Sequence, residues 1–197
     1  MTPRKETTQH APLEGLLSRI RSRRIRNEVV GAEHVLDFGC GEFLHNLRAM
    51  SDVPRRYGLD IRFADRPSGQ EVDGIWVGGS FEHLRKKVSH ACIERVTALA
   101  VFEHLTRDVF LNVLGELASV TTATARIAAT VPTPSARPVL EFLSFRLGLI
   151  DRSQIEDHQV YYDRPMLEET LASSPWRIER YSRFLAGMNS SFVMVKR

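Results

Sequence analysis

The segment His34-Val-Leu-Asp-Phe-Gly-Cys-Gly-Glu-Phe43 constrains this chain more than any other. An apolar strand over Glu33 to Phe38 runs into Gly39 and Gly41. Lacking a Cβ, these two residues let the backbone turn tightly and approach a ligand where a side chain would collide. The pattern from Phe43 to Met50 then predicts a helix, giving strand, tight loop, helix. A dinucleotide-binding loop of this form needs a third glycine for close helix packing, yet Leu44 stands at that place. An acid, Asp37, also precedes the first glycine, and both departures argue against a dinucleotide.

A second acid strengthens the loop. Tyr57-Gly-Leu-Asp-Ile61 ends a strand predicted over Arg56 to Ile61 and places Asp60 19 positions after Gly41, where its carboxylate can take both hydroxyls of a ribose. Read alone, Asp60 also fits a turn or helix cap, and the glycines fit a structural turn. A turn explains neither Asp37 nor the distant Asp60. A carboxylate near the loop can accept hydrogen bonds from a cationic amino-acid head group while loop amides bind its carboxylate. S-adenosylmethionine carries such a head group together with a ribose.

Downstream, short strands alternate with helical patterns. Gly74 to Val77, Ile93 to Leu99 and Arg126 to Val131 read as strands, and Phe81 to Val88 and Thr106 to Ser119 as helices. Pro132 and Pro134 open an insertion, Ser135 to Asp157, that is a lid candidate, with the lid region reaching residue 162. A helix from Pro165 to Ala172 and a hairpin of Arg177 to Phe184 with Ser191 to Lys196 close the chain. The alternation predicts an α/β doubly wound, mainly parallel sheet with helices on both faces and a C-terminal antiparallel hairpin. With 197 residues, 43% of them hydrophobic, one domain over 1–197 is expected.

Composition narrows the setting. Cys40 and Cys92 lack CxxC spacing, so neither a disulfide framework nor a cysteine-rich metal site is expected, and a reducing cytosol fits. Met1 to His10 is polar, and the apolar stretch Leu140 to Ile150 is short and interrupted by Arg146, so no membrane span is expected. The net charge of +3 is small, but Arg19, Arg21, Arg23, Arg24 and Arg26 crowd a segment in which Leu13, Leu16, Leu17 and Ile20 recur at helical spacing. Three readings stay open for residues 1–28: a packed helix with solvated arginines, a peripheral contact with an anionic membrane or substrate, and a nucleic-acid contact. The last lacks any accompanying recognition module.

Taken together, Val35-Leu-Asp-Phe-Gly-Cys-Gly41, Gly58-Leu-Asp60 and Val101-Phe-Glu-His-Leu105 resemble the successive signatures of class I S-adenosylmethionine-dependent methyltransferases over roughly residues 30 to 197. In pattern the chain is similar to small-molecule enzymes of the ubiquinone pathway and of polysaccharide or natural-product biosynthesis. The resemblance implies a Rossmann-like, seven-stranded sheet and a cofactor site made of Asp37, Gly39, Cys40, Gly41, Asp60 on the ribose, Ile61 against the adenine, and contacts after the third and fourth strands from Ser80, Phe81 and Ala100. The third region departs from the family pattern, since Gly78-Gly-Ser-Phe81 stands where an acid often follows a glycine.

Methyl transfer from a sulfonium is an in-line displacement that needs a base only when the acceptor is a hydroxyl. His104, at the end of the fourth strand, is one candidate base, with a helix-start histidine bonded to Glu103 or backbone as the competing reading. His158 is the second, in the run Asp157-His-Gln-Val-Tyr-Tyr162, which a docked lid explains equally well. Glu103, Tyr161 and Tyr162 are candidate substrate residues. In ubiquinone-pathway relatives a Glu-His pair binds a divalent metal with a carboxylate three residues earlier, but Ala100 occupies that place here and no metal is expected. The expected activity is S-adenosylmethionine-dependent methylation of a small-molecule or glycan-like acceptor at oxygen. A non-catalytic S-adenosylmethionine-binding partner and an RNA methyltransferase are the alternatives.

Overall fold

The computed structural model describes residues 12–66, 68–88, 90–136, 138 and 159–197. Strand β1 (His34–Phe38) lies inside the sheet, and its side chains divide between two cores: Leu36 joins one apolar cluster and Val35 the other. This is the period-two alternation of a strand covered on both faces, which reads as a continuous apolar run. Parallel neighbours β2 (Arg55–Leu59), β4 (Ile75–Gly78), β5 (Ile93–Leu99) and β6 (Thr121–Pro132) extend it on either side.

With β3 (Gln70–Val72), β7 (Trp176–Phe184) and β8 (Asn189–Lys196), the sheet has eight strands in the order β3-β4-β2-β1-β5-β6-β8-β7. The closing hairpin is antiparallel, and β8 inserts between β6 and β7. The strand beyond the expected seven is β3, which folds back on β4 through Asp73 and Gly74, both at positive φ. Three half-buried or exposed residues give too short a pattern to read as a strand; the turn chemistry forms the pairing.

Helices cover both faces. On one side α3 (Phe81–Lys87), α4 (Arg107–Val120) and α5 (Arg164–Leu171) deliver Leu84, then Phe110, Leu114 and Leu117, then Leu167 and Leu171. The spacing within α4 is that of one buried helical stripe. Asp163 caps α5 by accepting from the Met166 amide at 3.0 Å. On the other side the core holds Ile25 of α1 (Pro12–Ile25), Val29 just beyond it, and Leu47 of α2 (His45–Arg48). Helix α2 is far shorter than the expected Phe43 to Met50, because Leu44 sits at φ 54°, a left-handed backbone from which an α-helix cannot begin earlier.

Helix α1 packs against β5 and β6. Beyond its end the Glu28 carbonyl accepts from Arg95 near the start of β5, while its Arg21 acts electrostatically on Glu103 beyond the end of β5, so the helix runs from the carboxyl edge of the sheet to the amino edge. Its basic cluster is partly tied down at the surface: Arg24, itself exposed, donates to Ser182 at 2.6 Å and to Ser191 at 3.2 Å, and Arg26 pairs with Asp52. Leu16 is 52% exposed, and Arg19 and Arg23 are exposed as well. Of the proposed lid region, residues 134–136 form a single 3-10 turn and 159–163 an extended strap; residues 139–158, including the apolar stretch at 140–150, lie outside the described residues.

The carboxyl ends of β2 and β4 are locked by Gly79. A Cβ there would stand 2.3 Å from Ala64 Cα and 2.4 Å from Ala64 N, both backbone atoms of the turn after β2. Gly79→Ala is expected to lower the unfolding free energy by about 3 kcal/mol, the upper range for overpacking, measured by urea denaturation. An unchanged midpoint would mean that this turn yields freely.

Candidate functional site

The carboxyl ends of β1, β2, β4 and β5 converge on the glycine loop. Gly39 and Gly41 have φ of 75° and 65°. A Cβ on Gly39 would meet Val101 Cγ2 at 2.6 Å, so the loop and the segment after β5 touch as only glycine permits. The Gly39 amide donates to the Leu59 carbonyl at 2.8 Å, pinning the loop to the end of β2. One residue further, Asp60 takes both neighbours: its Oδ2 accepts from the Gly41 amide at 2.8 Å and its Oδ1 from the Arg62 amide at 3.0 Å. Asp60 is therefore a turn cap, and each oxygen retains a lone pair for a ligand. Ile61, next in the chain, is 80% exposed, an apolar side chain presented beside that carboxylate.

The other cofactor candidates divide by environment. Cys40 is buried with its sulfur 2.7 Å from where a Cβ on Gly58 would stand, which fixes glycine at position 58. Burial first, then the charges of Asp37 and Asp60, push its thiol pKa far up, so the sulfur is a packed neutral group and only its backbone faces the loop. Ser80 Oγ accepts from the His83 amide at 3.2 Å as the cap of α3, and the Phe81 ring stacks on Phe38 at 6.0 Å. Ala100 is held at φ 53° while its amide donates to the Thr130 carbonyl at 2.9 Å, a left-handed non-glycine residue at the end of β5.

Asp37 is only 3% exposed. Its Oδ1 accepts from Thr97 Oγ1 at 2.5 Å and from Asn46 Nδ2 at 3.0 Å, joining β1 to β5 and α2. Burial raises its pKa to about 6, opposed by the two hydrogen bonds and reinforced by the Asp60 charge. Thr97 and Asn46 were not legible as site residues. Their only signals are a polar residue in an apolar strand and an Asn just past the glycine loop.

Beyond β5, the 3-10 turn Phe102–His104 carries the remaining candidates. The Glu103 carbonyl accepts from the Gln159 and Val160 amides at 2.8 and 3.1 Å, drawing the 159–163 strap over the end of β5. Glu103 is 1% exposed, its Oε2 has no hydrogen-bond partner, and burial raises its pKa to about 7 against the opposing charge of Arg21. Tyr162, also 1% exposed, packs on Phe110 at 5.6 Å inside the core and leaves its hydroxyl without a partner. The strap that carries Tyr162 is thus tied to the Glu103 backbone, and the Glu103 charge acts on Tyr162 while that of Arg21 from α1 acts on Glu103. Tyr161 and His104 are half-buried alongside, and His158 lies outside the described residues. Among the described residues no three His, Cys, Asp or Glu side chains group as a metal site.

No protein-family model and no curated protein matches this sequence. Solved structures do. A methyltransferase dependent on S-adenosylmethionine from Anabaena variabilis is 12% identical, with 92% of this chain and 85% of that one covered and a TM-score of 0.64. The chain has the S-adenosylmethionine-dependent methyltransferase fold. Mitomycin 7-O-methyltransferase, 16% identical at TM-score 0.65, matches 93% of this chain, which spans 55% of that enzyme. Magnesium protoporphyrin IX methyltransferase from Synechocystis, solved with S-adenosylhomocysteine, is 14% identical at TM-score 0.55, covering 93% of this chain and 82% of its own. Within this methyltransferase fold the glycine loop, Asp60 and the turn after β5 share the carboxyl edge of the sheet, where open α/β sheets bind ligands.

A carboxyl whose folded pKa is raised favours the protonated native state, so its contribution to stability is full below the ordinary carboxylate range and is lost as pH rises through the folded value. For Asp37 that window runs from 3.8 to about 6, a loss of roughly 3 kcal/mol at 1.36 kcal/mol per unit. Asp37→Asn keeps an acceptor for Thr97 and Asn46 and cannot ionise. The variant is expected to match the parent near pH ~4 and to exceed its stability by roughly 2–3 kcal/mol near pH ~8, in urea titrations at stepped pH. A parent whose stability is flat across that window would contradict the burial argument.

Proposed function

We propose that this chain binds S-adenosylmethionine at the carboxyl edge of β1, β2 and β4 and transfers its methyl group to oxygen of a small-molecule or glycan-like acceptor. The observation that carries the reading is the pairing of Asp60, already oriented by two backbone amides, with the exposed Ile61. A polar diol and a flat apolar ring, adjacent in one ligand, fit a carboxylate followed by an exposed apolar side chain. Gly41, with only Arg62 near the place of a Cβ, leaves the loop backbone open to the amino-acid end of that ligand. S-adenosylmethionine, when bound, supplies a methyl group made electrophilic by a sulfonium.

Ser80 and Phe81 hold α3 and the Phe38 stack, so backbone groups after β4 are left to read the adenine edge. Those engagements are also what favours the alternative, an S-adenosylmethionine-binding partner protein without turnover. We place the protein's work in the cytosol, where its free Cys40 and Cys92 stay reduced. The outward Leu16, Arg19 and Arg23 suit a peripheral contact with anionic headgroups. No described helix is long and apolar enough to cross a membrane.

Calorimetric titration with S-adenosylmethionine, S-adenosylhomocysteine and NAD tests the site without knowledge of the acceptor. Saturable binding of the two adenosyl ligands and none of NAD is expected. Asp60→Ala removes charge-assisted hydrogen bonds and is expected to weaken binding roughly 10- to 100-fold. Ile61→Asp changes an exposed side chain, so a melting temperature within about 2 °C of the parent with binding weakened about 10-fold or more is expected. Full affinity in both variants would place the ligand elsewhere.

A further inference from the structure

Among the described residues, Glu103 Oε2 and Tyr162 Oη are buried without a hydrogen-bond partner, as are Arg21 Nε beside Glu103 and, at the end of β6, Thr130 Oγ1, Ser190 Oγ and Asn189 Oδ1. Buried polar groups are bonded in the great majority of cases, so each exception points to a missing partner. Glu103 and Tyr162 are not bonded to one another, yet the Glu103 charge raises the pKa of Tyr162, which puts them within electrostatic reach. A ligand group that donates to the carboxylate and accepts from the phenol would satisfy both. A neutral hydroxyl does both; an ammonium cannot accept and a carboxylate cannot donate. No buried unpartnered atom belongs to His104.

We propose that Glu103 is the proton acceptor for a hydroxyl substrate, with Tyr162 Oη donating a hydrogen bond to the same substrate oxygen. This rests on the methyl-transfer reading and names the acceptor class within it. As the acceptor oxygen forms its bond to the methyl carbon, the carbon–sulfur bond breaks with its electron pair going to sulfur, and the hydroxyl proton passes to Glu103 Oε2. The products are a methyl ether, a neutral thioether and a protonated Glu103. Among the described residues, the charged and titratable groups near the carboxyl are Arg21 from α1, the adjacent His104 and Tyr162 from the strap, with Arg107 of α4 acting on Tyr162. Burial has already lifted Glu103 to about 7, where a group can take up a proton and release it again near neutral pH.

The test uses the full chain with phenol as the hydroxyl probe and aniline as its amine counterpart. Transfer of labelled methyl to phenol is expected to fall as pH drops through about 7. Glu103→Gln, which keeps the side-chain shape, is expected to cut the rate about 100-fold and abolish that limb, and Tyr162→Phe to cut it about 10-fold with the limb kept. His104→Asn keeps the limb whatever its rate. A second arm needs no methyl donor: the carboxylic-acid infrared band assigned by its loss in Glu103→Gln is expected to titrate near neutrality and to shift when phenol, but not aniline, is added. Parental rate or an intact limb in Glu103→Gln, a limb lost in His104→Asn, methylation of aniline alone or of neither probe, or a band indifferent to phenol each overturns the proposal. Calorimetry on the same sample separates the causes, since absent S-adenosylmethionine binding sinks the functional reading while the infrared arm still judges Glu103.

Discussion

The carboxylate of Asp60 is the contact on which the geometry of this edge depends. By accepting from Gly41 on one side and Arg62 on the other, it fastens the glycine loop after β1 to the turn after β2. The same turn is held from behind by Gly79, where no Cβ fits against Ala64. Three strand ends are thereby fixed to one another through one side chain and one missing side chain. Backbone bonds that continue past the strands, from Gly39 to Leu59 and from Asp60 to Gly78, add to this fastening. An exposed Ile61 is the consequence: the turn that Asp60 caps presents it outward, away from both cores.

Around that fastening two carboxyls are buried among the described residues, Asp37 at the end of β1 and Glu103 in the turn beyond β5. Asp37 is satisfied inside the fold by Thr97 and Asn46, whereas Glu103 retains an oxygen without a partner. Burial pushes both toward neutrality, the general effect of low polarity on a charged form. One is a structural tie across three elements. The other stands beside the strap at 159–163 and within electrostatic reach of helix α1, with one oxygen unpartnered.

Much of this was legible beforehand. The strand, loop and helix around residues 34–48, the Asp60 spacing and the closing hairpin were each readable, because short-range geometry imposes its own residue types: glycine where φ is positive, apolar runs where both faces are covered. Less was legible where the deciding partner is remote. The third strand region gained β3 because a two-residue turn could pair three unpromising residues, and α2 lost its first turn to the left-handed Leu44. The arginine cluster at the N-terminus looked like a surface feature, yet Arg24 and Arg26 found partners in β7, β8 and the loop at Asp52.

The sequence by itself determined the doubly wound α/β plan and the glycine loop at its carboxyl edge, since hydrophobic period, glycine positions and the acids at the ends of β1 and β2 act over a few residues each. Only the tertiary structure decided what the polar side chains at that edge do. That Asp37 bonds Thr97 and that the Tyr162 ring packs on Phe110 depends on atoms brought from tens of residues away. The reason is physical: the pattern of apolar residues fixes which face is buried, but the partner of a buried polar atom is set by the packing of separate elements, and that packing is a property of the folded chain.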